Sequence, residues 1–159
     1  MKEFALFGAS GAIGKSIAAA ISGTATPYRV VGRSKGSLEE TFGADPLAEI
    51  MTWDPDDPES VRRAADEVET VIYLVGIPYD RFHLHPILLK KTLDGAIAAG
   101  VKRFLLIGTL YSFGMPQAPL INELHPRTPH TKKGKYRKEQ EDILMAADAA
   151  GKIRATILR

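Results

Sequence analysis

Gly8, Gly11 and Gly14 recur every three residues in "FALFGASGAIGKSIAAAI", residues 4 to 21, between an apolar run and a stretch with helical spacing. That pattern reads as strand, phosphate-cradling turn and helix. The ending Gly14-Lys15-Ser16 suggests a triphosphate loop, whereas the glycine spacing suggests a dinucleotide turn. A triphosphate loop needs glycines five apart before Lys-Ser, and five residues before Gly14 stands Ala9. It also wants an acid at the end of a second buried strand to hold magnesium. Met51-Thr52-Trp53-Asp54 offers one, but Val71 to Gly76 does not, and Lys15 reads as a solvated lysine at a helix start. In the dinucleotide reading the first glycine permits a tight turn and the middle one lets phosphate approach the backbone. The third lets the helix pack on the strand, with pyrophosphate at the helix N-terminus. Gly8, Ala9, Ser10, Gly11, Ala12, Ile13 and Gly14 are therefore the expected lining of that site.

Other residues have chemistry of their own. "VVGRS" at the end of the second apolar run lacks the acid that bonds a ribose 2′-hydroxyl, but places Arg33 and Ser34 there. A guanidinium suits a 2′-phosphate, so NADP is expected over NAD. Thr109 stands just past the fifth apolar run, where its hydroxyl could polarise a substrate carbonyl. Lys132 to Lys138 is the one dense basic stretch; it reads as a solvated helix face that also carries Tyr136. His83, His85 and Asp80 lie together in a loop and helix start, with no second ligand set, and no metal site is expected. Trp53 and Phe42 read as core or as neighbours of an adenine pocket.

The elements that must position these residues alternate. Strands are expected at Lys2–Phe7, Tyr28–Val31, Ala48–Trp53, Thr70–Val75, Lys102–Ile107 and Ile153–Leu158. Helices are expected at Ala12–Ser22, Ser37–Phe42, Glu59–Glu67, His85–Ala99 and Lys135–Ala150. Ile13, Ile17, Ala20 and Ile21 share one face of the first helix. Asp57 before Pro58 resembles an N-cap, and Gly100 and Gly151 resemble C-caps. The pattern implies an α/β fold: a doubly wound parallel sheet of about six strands, Rossmann-type and three-layered (αβα), in the order 3-2-1-4-5-6. The long connection from Gly108 to about Pro129 is expected to be functional.

The bulk composition excludes several classes. A length of 159 residues suggests one domain with a real core. A net charge of +2 gives no argument for nucleic acid, and the absence of cysteine rules out disulfides and thiolate metal sites. No apolar run approaches the roughly 20 residues a membrane span needs. A cytoplasmic protein without membrane or nucleic-acid partners is the expectation.

Taken in order, the motifs resemble the short-chain dehydrogenases, in particular the extended and atypical branches that include the NAD-dependent epimerase/dehydratase family. Gly8-x-x-Gly11-x-x-Gly14 matches the cofactor turn. "WDPDDPESVRRAA" resembles the turn after the third strand and implies Asp54 near the adenine ring. "VIYLVG" resembles the strand under the cofactor and implies contact at Val75 and Gly76. "GVKRFLLIGTLYSFG" resembles the fifth strand with its active-site Ser/Thr, here Thr109, and "ATILR" resembles the sixth. The resemblance implies NAD(P) chemistry on a small carbonyl or sugar nucleotide, a possible homodimer, and a C-terminal substrate region that 1–159 does not contain. It also implies a Tyr-x-x-x-Lys pair, and none occurs. Four residues after Tyr136 stands Gln140; aligning on Glu141 instead sets Lys133 and Arg137 at the two positions. "KGKYRKEQE" resembles atypical members that keep a basic residue without that tyrosine, so Tyr136 and Arg137 join Thr109 as catalytic candidates. The missing pair also admits a non-catalytic dinucleotide sensor.

Overall fold

The computed structural model describes residues 1–159. Six strands form one parallel sheet: β1 (Lys2–Phe7), β2 (Tyr28–Gly32), β3 (Ala48–Thr52), β4 (Val68–Tyr73), β5 (Arg103–Ile107) and β6 (Arg154–Leu158). Their order is β3-β2-β1-β4-β5-β6, as expected. Phe4 on β1 pairs with Tyr28 on one side and Thr70 on the other, so the order reverses between β1 and β4. Five helices cross between the strands: α1 (Ala12–Ser22), α2 (Lys35–Phe42), α3 (Pro58–Ala65), α4 (Leu84–Ala98) and α5 (Lys132–Ala149).

Alternation along β1 sends Ala5 and Phe7 to one face and Leu6 to the other. On the first face, residues of α3, α4 and α5 such as Val61, Leu89, Leu93 and Leu144 close over Phe7, Tyr73 and Phe104. On the second, Ala18 and Ile21 of α1 and Leu38 and Phe42 of α2 close over Leu6, Val30 and Ile72. This is the three-layer Rossmann-type sandwich.

Three local differences from the sequence expectation matter for the site. Helix α1 packs through Gly14, Ala18 and Ile21 rather than through Ile13 and Ala20. The period is right and the phase is one residue off, because Gly14 lets the helix sit directly on the turn; Ile13 is left 56% exposed. Helix α5 begins at Lys132, three residues earlier than expected, because Thr131 caps it by accepting from Gly134 N at 3.0 Å. Helix α2 likewise begins at Lys35, capped by Ser34. The long connection after β5 is organised rather than open: Gln117 N donates to His125 Nε2 at 3.0 Å, and Gly114 bridges to Thr128.

Candidate functional site

The turn from β1 into α1 is shaped by close approaches. Gly8 adopts φ +88°, and a Cβ there would stand 2.8 Å from the Val75 backbone. At Gly14 a Cβ would stand 2.2 Å from the Ala9 carbonyl oxygen, so only glycine lets α1 pack where it does. Gly11 differs: the nearest atom to a Cβ there is 4.0 Å away, so its open side faces space. Gly11 is also the N-cap of α1, with no side chain capping it and no acid in the first turn. The first N–H groups of this helix are thus offered to an anion. Lys15 is exposed and Ser16 donates to Ala12 O at 3.1 Å, so both are spent on the helix surface.

Two clefts open at the carboxyl ends of the strands and meet at Gly8, Val75 and Gly76. One, of about 460 Å³, is lined by Ser10, Gly32, Arg33, Ser34, Ser37 and Trp53 besides the shared residues. Trp53 is buried and packs edge-on to Phe7, with ring centroids 5.2 Å apart. Arg33 is exposed and lacks any ion pair within the protein. Asp54 stands outside this lining, where its carboxylate accepts from Asp56 N at 2.8 Å to shape the turn after β3.

The other cleft, of about 430 Å³, is lined by Gly11, Ala12, Ile13 and Gly14 of the turn, and by Tyr73, Ile77, Tyr79, Phe82, His85, Ile107, Thr109 and Arg137. Thr109 Oγ1 accepts from Tyr111 N at 3.3 Å, which leaves its own proton to donate. Arg137 on α5 is buried; it donates to Nδ1 of His85 at 2.8 Å and to the Ile107 carbonyl at 3.1 Å. A guanidinium has only donors, so His85 Nδ1 must accept and its proton sits on Nε2. Burial, reinforced by the neighbouring Arg137 charge, pushes the His85 pKa down to about 4. Burial also pushes the Tyr73 hydroxyl up. Ala9 is buried beneath the turn and lines neither cleft. Tyr136 lies outside both linings too, half-buried and edge-on to His83 with centroids 6.3 Å apart. No carboxylate lines either cleft.

The glycine turn, Arg33, Ser34, Val75 and Gly76 therefore border the two clefts, whereas Ala9 and Asp54 do not. A family model described as NAD(P)H-binding matches residues 8–159. The chain belongs to the NAD(P)H-binding family.

Its fold is shared with solved enzymes of low sequence identity. A short-chain dehydrogenase/reductase superfamily protein from Agrobacterium tumefaciens with bound NAD matches with a TM-score of 0.83 at 22% identity, over 99% of this chain and 48% of that one. UDP-N-acetylglucosamine 4-epimerase from Bacillus cereus matches with a TM-score of 0.83 at 16% identity, over 100% and 60%. A dTDP-glucose 4,6-dehydratase from Streptomyces venezuelae with NAD bound matches with a TM-score of 0.83 at 17% identity, over 98% and 54%. This NAD(P)H-binding chain thus spans about half the length of the solved structures it matches. No curated protein matches the sequence. No helix is long and apolar enough to cross a membrane, and no group of three or more His, Cys, Asp or Glu comes together.

Sequence reading did not anticipate His85 as the partner of Arg137, nor Tyr73, Ile77, Tyr79 and Phe82 as cleft walls. The one available signal was the Lys133/Arg137 spacing, which places both on one helix face.

Proposed function

We propose that this chain binds NADP in preference to NAD across the two clefts, and acts as an oxidoreductase or epimerase-type protein on a small carbonyl or sugar-nucleotide substrate. One observation carries the reading: a continuous crevice crosses the strand ends at the reversal of strand order, with the open Gly11 cradle at its middle. The first N–H groups of α1 would take the pyrophosphate. Arg33 and Ser34 would take the 2′-phosphate, with Trp53, Val75 and Gly76 as walls and Asp54 behind the adenine side.

When bound, the dinucleotide supplies hydride transfer. Thr109 donates its hydroxyl proton to the substrate carbonyl oxygen, and Arg137 adds positive charge beside that oxygen. Tyr136, on the same helix, lies outside both linings and takes no step. His85 keeps Arg137 in place without competing for a proton, since it is neutral above about pH 4.

A second reading is a dinucleotide sensor without turnover. It is favoured by the position of Tyr136 outside the cleft lining. Fluorescence titration with NADPH and NADH, followed by a turnover assay over a panel of carbonyl compounds, separates the two. Turnover supports the enzyme and binding without turnover supports the sensor. Absence of dinucleotide binding overturns both.

A further inference from the structure

Arg137 is a buried cation whose partners are all neutral. It is 6% exposed, and its hydrogen bonds go to the uncharged His85 ring and to the Ile107 carbonyl. Glu141, one turn further along α5, is already taken: Arg127 bonds it at 3.0 Å, Arg159 at 2.9 Å and Ser112 at 3.0 Å. Asp142 is held by Arg127 and Lys138. No Asp or Glu lines the cleft that Arg137 faces.

A second cation stands one turn earlier on the same face of α5. The Lys133 ammonium lies over the Tyr79 ring, 3.8 Å from its centroid; Tyr79 lines the cleft, while Lys133 itself borders a separate pocket with Tyr111 and His130. Lys133 also lacks a carboxylate within ion-pair distance.

A charge withdrawn from water is tolerated when a counter-charge completes it. Here the one carboxylate whose charge reaches Arg137, Glu141, is hydrogen-bonded to two other guanidinium groups, and Arg137 itself lines the cleft. Ile77, Tyr79 and Phe82 line the same cleft, Phe82 edge-on to His85 with centroids 4.6 Å apart, and this apolar surround suits a singly charged group better than a doubly charged one. A carboxylate also matches the guanidinium fork.

We propose that the substrate is a carboxylate-bearing carbonyl compound with an apolar body, its carboxylate paired with Arg137 and its approach favoured by Lys133. This deepens the functional reading above and rests on it for placing the substrate carbonyl beside Thr109 in this cleft. In a 2-oxo acid the two groups are adjacent, so Arg137 pairs with the carboxylate and stays beside the carbonyl oxygen that Thr109 addresses.

The test uses benzoylformate and its neutral amide, benzoylformamide, titrated calorimetrically against the protein saturated with NADPH and against the protein alone. Benzoylformate is expected to bind at least tenfold more tightly than the amide. That preference falls below threefold in R137M and drops severalfold in K133M, while R137K, which keeps the charge but not the fork, retains part of it. Because Arg137 is buried, K133M at the half-exposed rim decides the matter if R137M does not fold. Equal affinity for the two probes overturns the proposal, as does a preference that survives R137M or is unchanged in K133M. NADPH affinity is read separately. Failure to bind NADPH with the preference intact defeats the cofactor reading, and NADPH binding without the preference defeats the anion site alone.

Discussion

Arg137 and His85, 52 residues apart in sequence, meet at 2.8 Å, and their bond holds the imidazole in one neutral tautomer. In the folded state this ring takes a proton only near pH 4, whereas an unfolded chain takes one near 6.5. Above pH 6.5 neither state is protonated and the group makes no difference. Between about 6.5 and 4 the unfolded state binds a proton that the folded state refuses, so stability falls by about 3 kcal/mol. Urea denaturation of wild type and H85N at pH 7, 5.5 and 4 should show their stability gap narrowing as pH drops. A gap independent of pH would mean that His85 is not held neutral.

Gly11 and Gly14 should respond differently to the same change. G14A drives a methyl into the Ala9 carbonyl and should cost about 2 kcal/mol or more. G11A meets open space and should cost only about 1 kcal/mol, the difference between glycine and alanine at an N-cap, and so less than G14A. Yet it should weaken NADPH at least tenfold by filling the place where phosphate approaches the backbone. Thermal melting and fluorescence titration of both variants check the contrast, which fails if G11A binds NADPH normally.

Arg33 faces the Trp53 cleft without an internal partner. R33A should weaken NADPH more than tenfold and NADH less than twofold, since a charge-assisted bond to phosphate is lost in one case only. Equal losses for both cofactors would remove Arg33 from the reading of the 2′-phosphate.

Glu141 is 1% exposed and holds Arg127 and Arg159. E141Q leaves both guanidinium groups without their shared anion and should cost about 3 kcal/mol. D142N, at a half-exposed pair, should cost under about 1 kcal/mol. Chemical denaturation of the two variants tests the ranking, and similar costs would contradict it.

What the sequence made legible followed from local rules. Apolar runs marked all six strands, and the glycine turn marked where the sheet order would reverse. The helix phase at α1 was misjudged because Gly14, not a large apolar residue, makes the contact. The start of α5 was hidden because Thr131 follows Pro129 and His130, and no periodicity announces a cap. At the site, Gly8, Gly14 and Arg33 were visible because their chemistry depends on residue type at a known place. The His85–Arg137 bond was not, because helix packing at the strand ends creates it and no spacing encodes it. Tyr136 drew attention as the only tyrosine of its helix, yet the helix turns Arg137, its neighbour, toward the cleft.

The placement of β1 between β2 and β4 bears on how the protein is made. The glycine turn is synthesised among the first residues, but the crevice it borders is walled by Arg33, Val75, Thr109 and Arg137. Every strand pairing is parallel and so spans a crossover, which makes assembly depend on distant segments. A chain leaving the ribosome N-terminus first cannot complete this crevice until α5 has emerged. Ligand occupancy therefore stabilises a chain that has emerged through α5 and gives no help to a shorter nascent one.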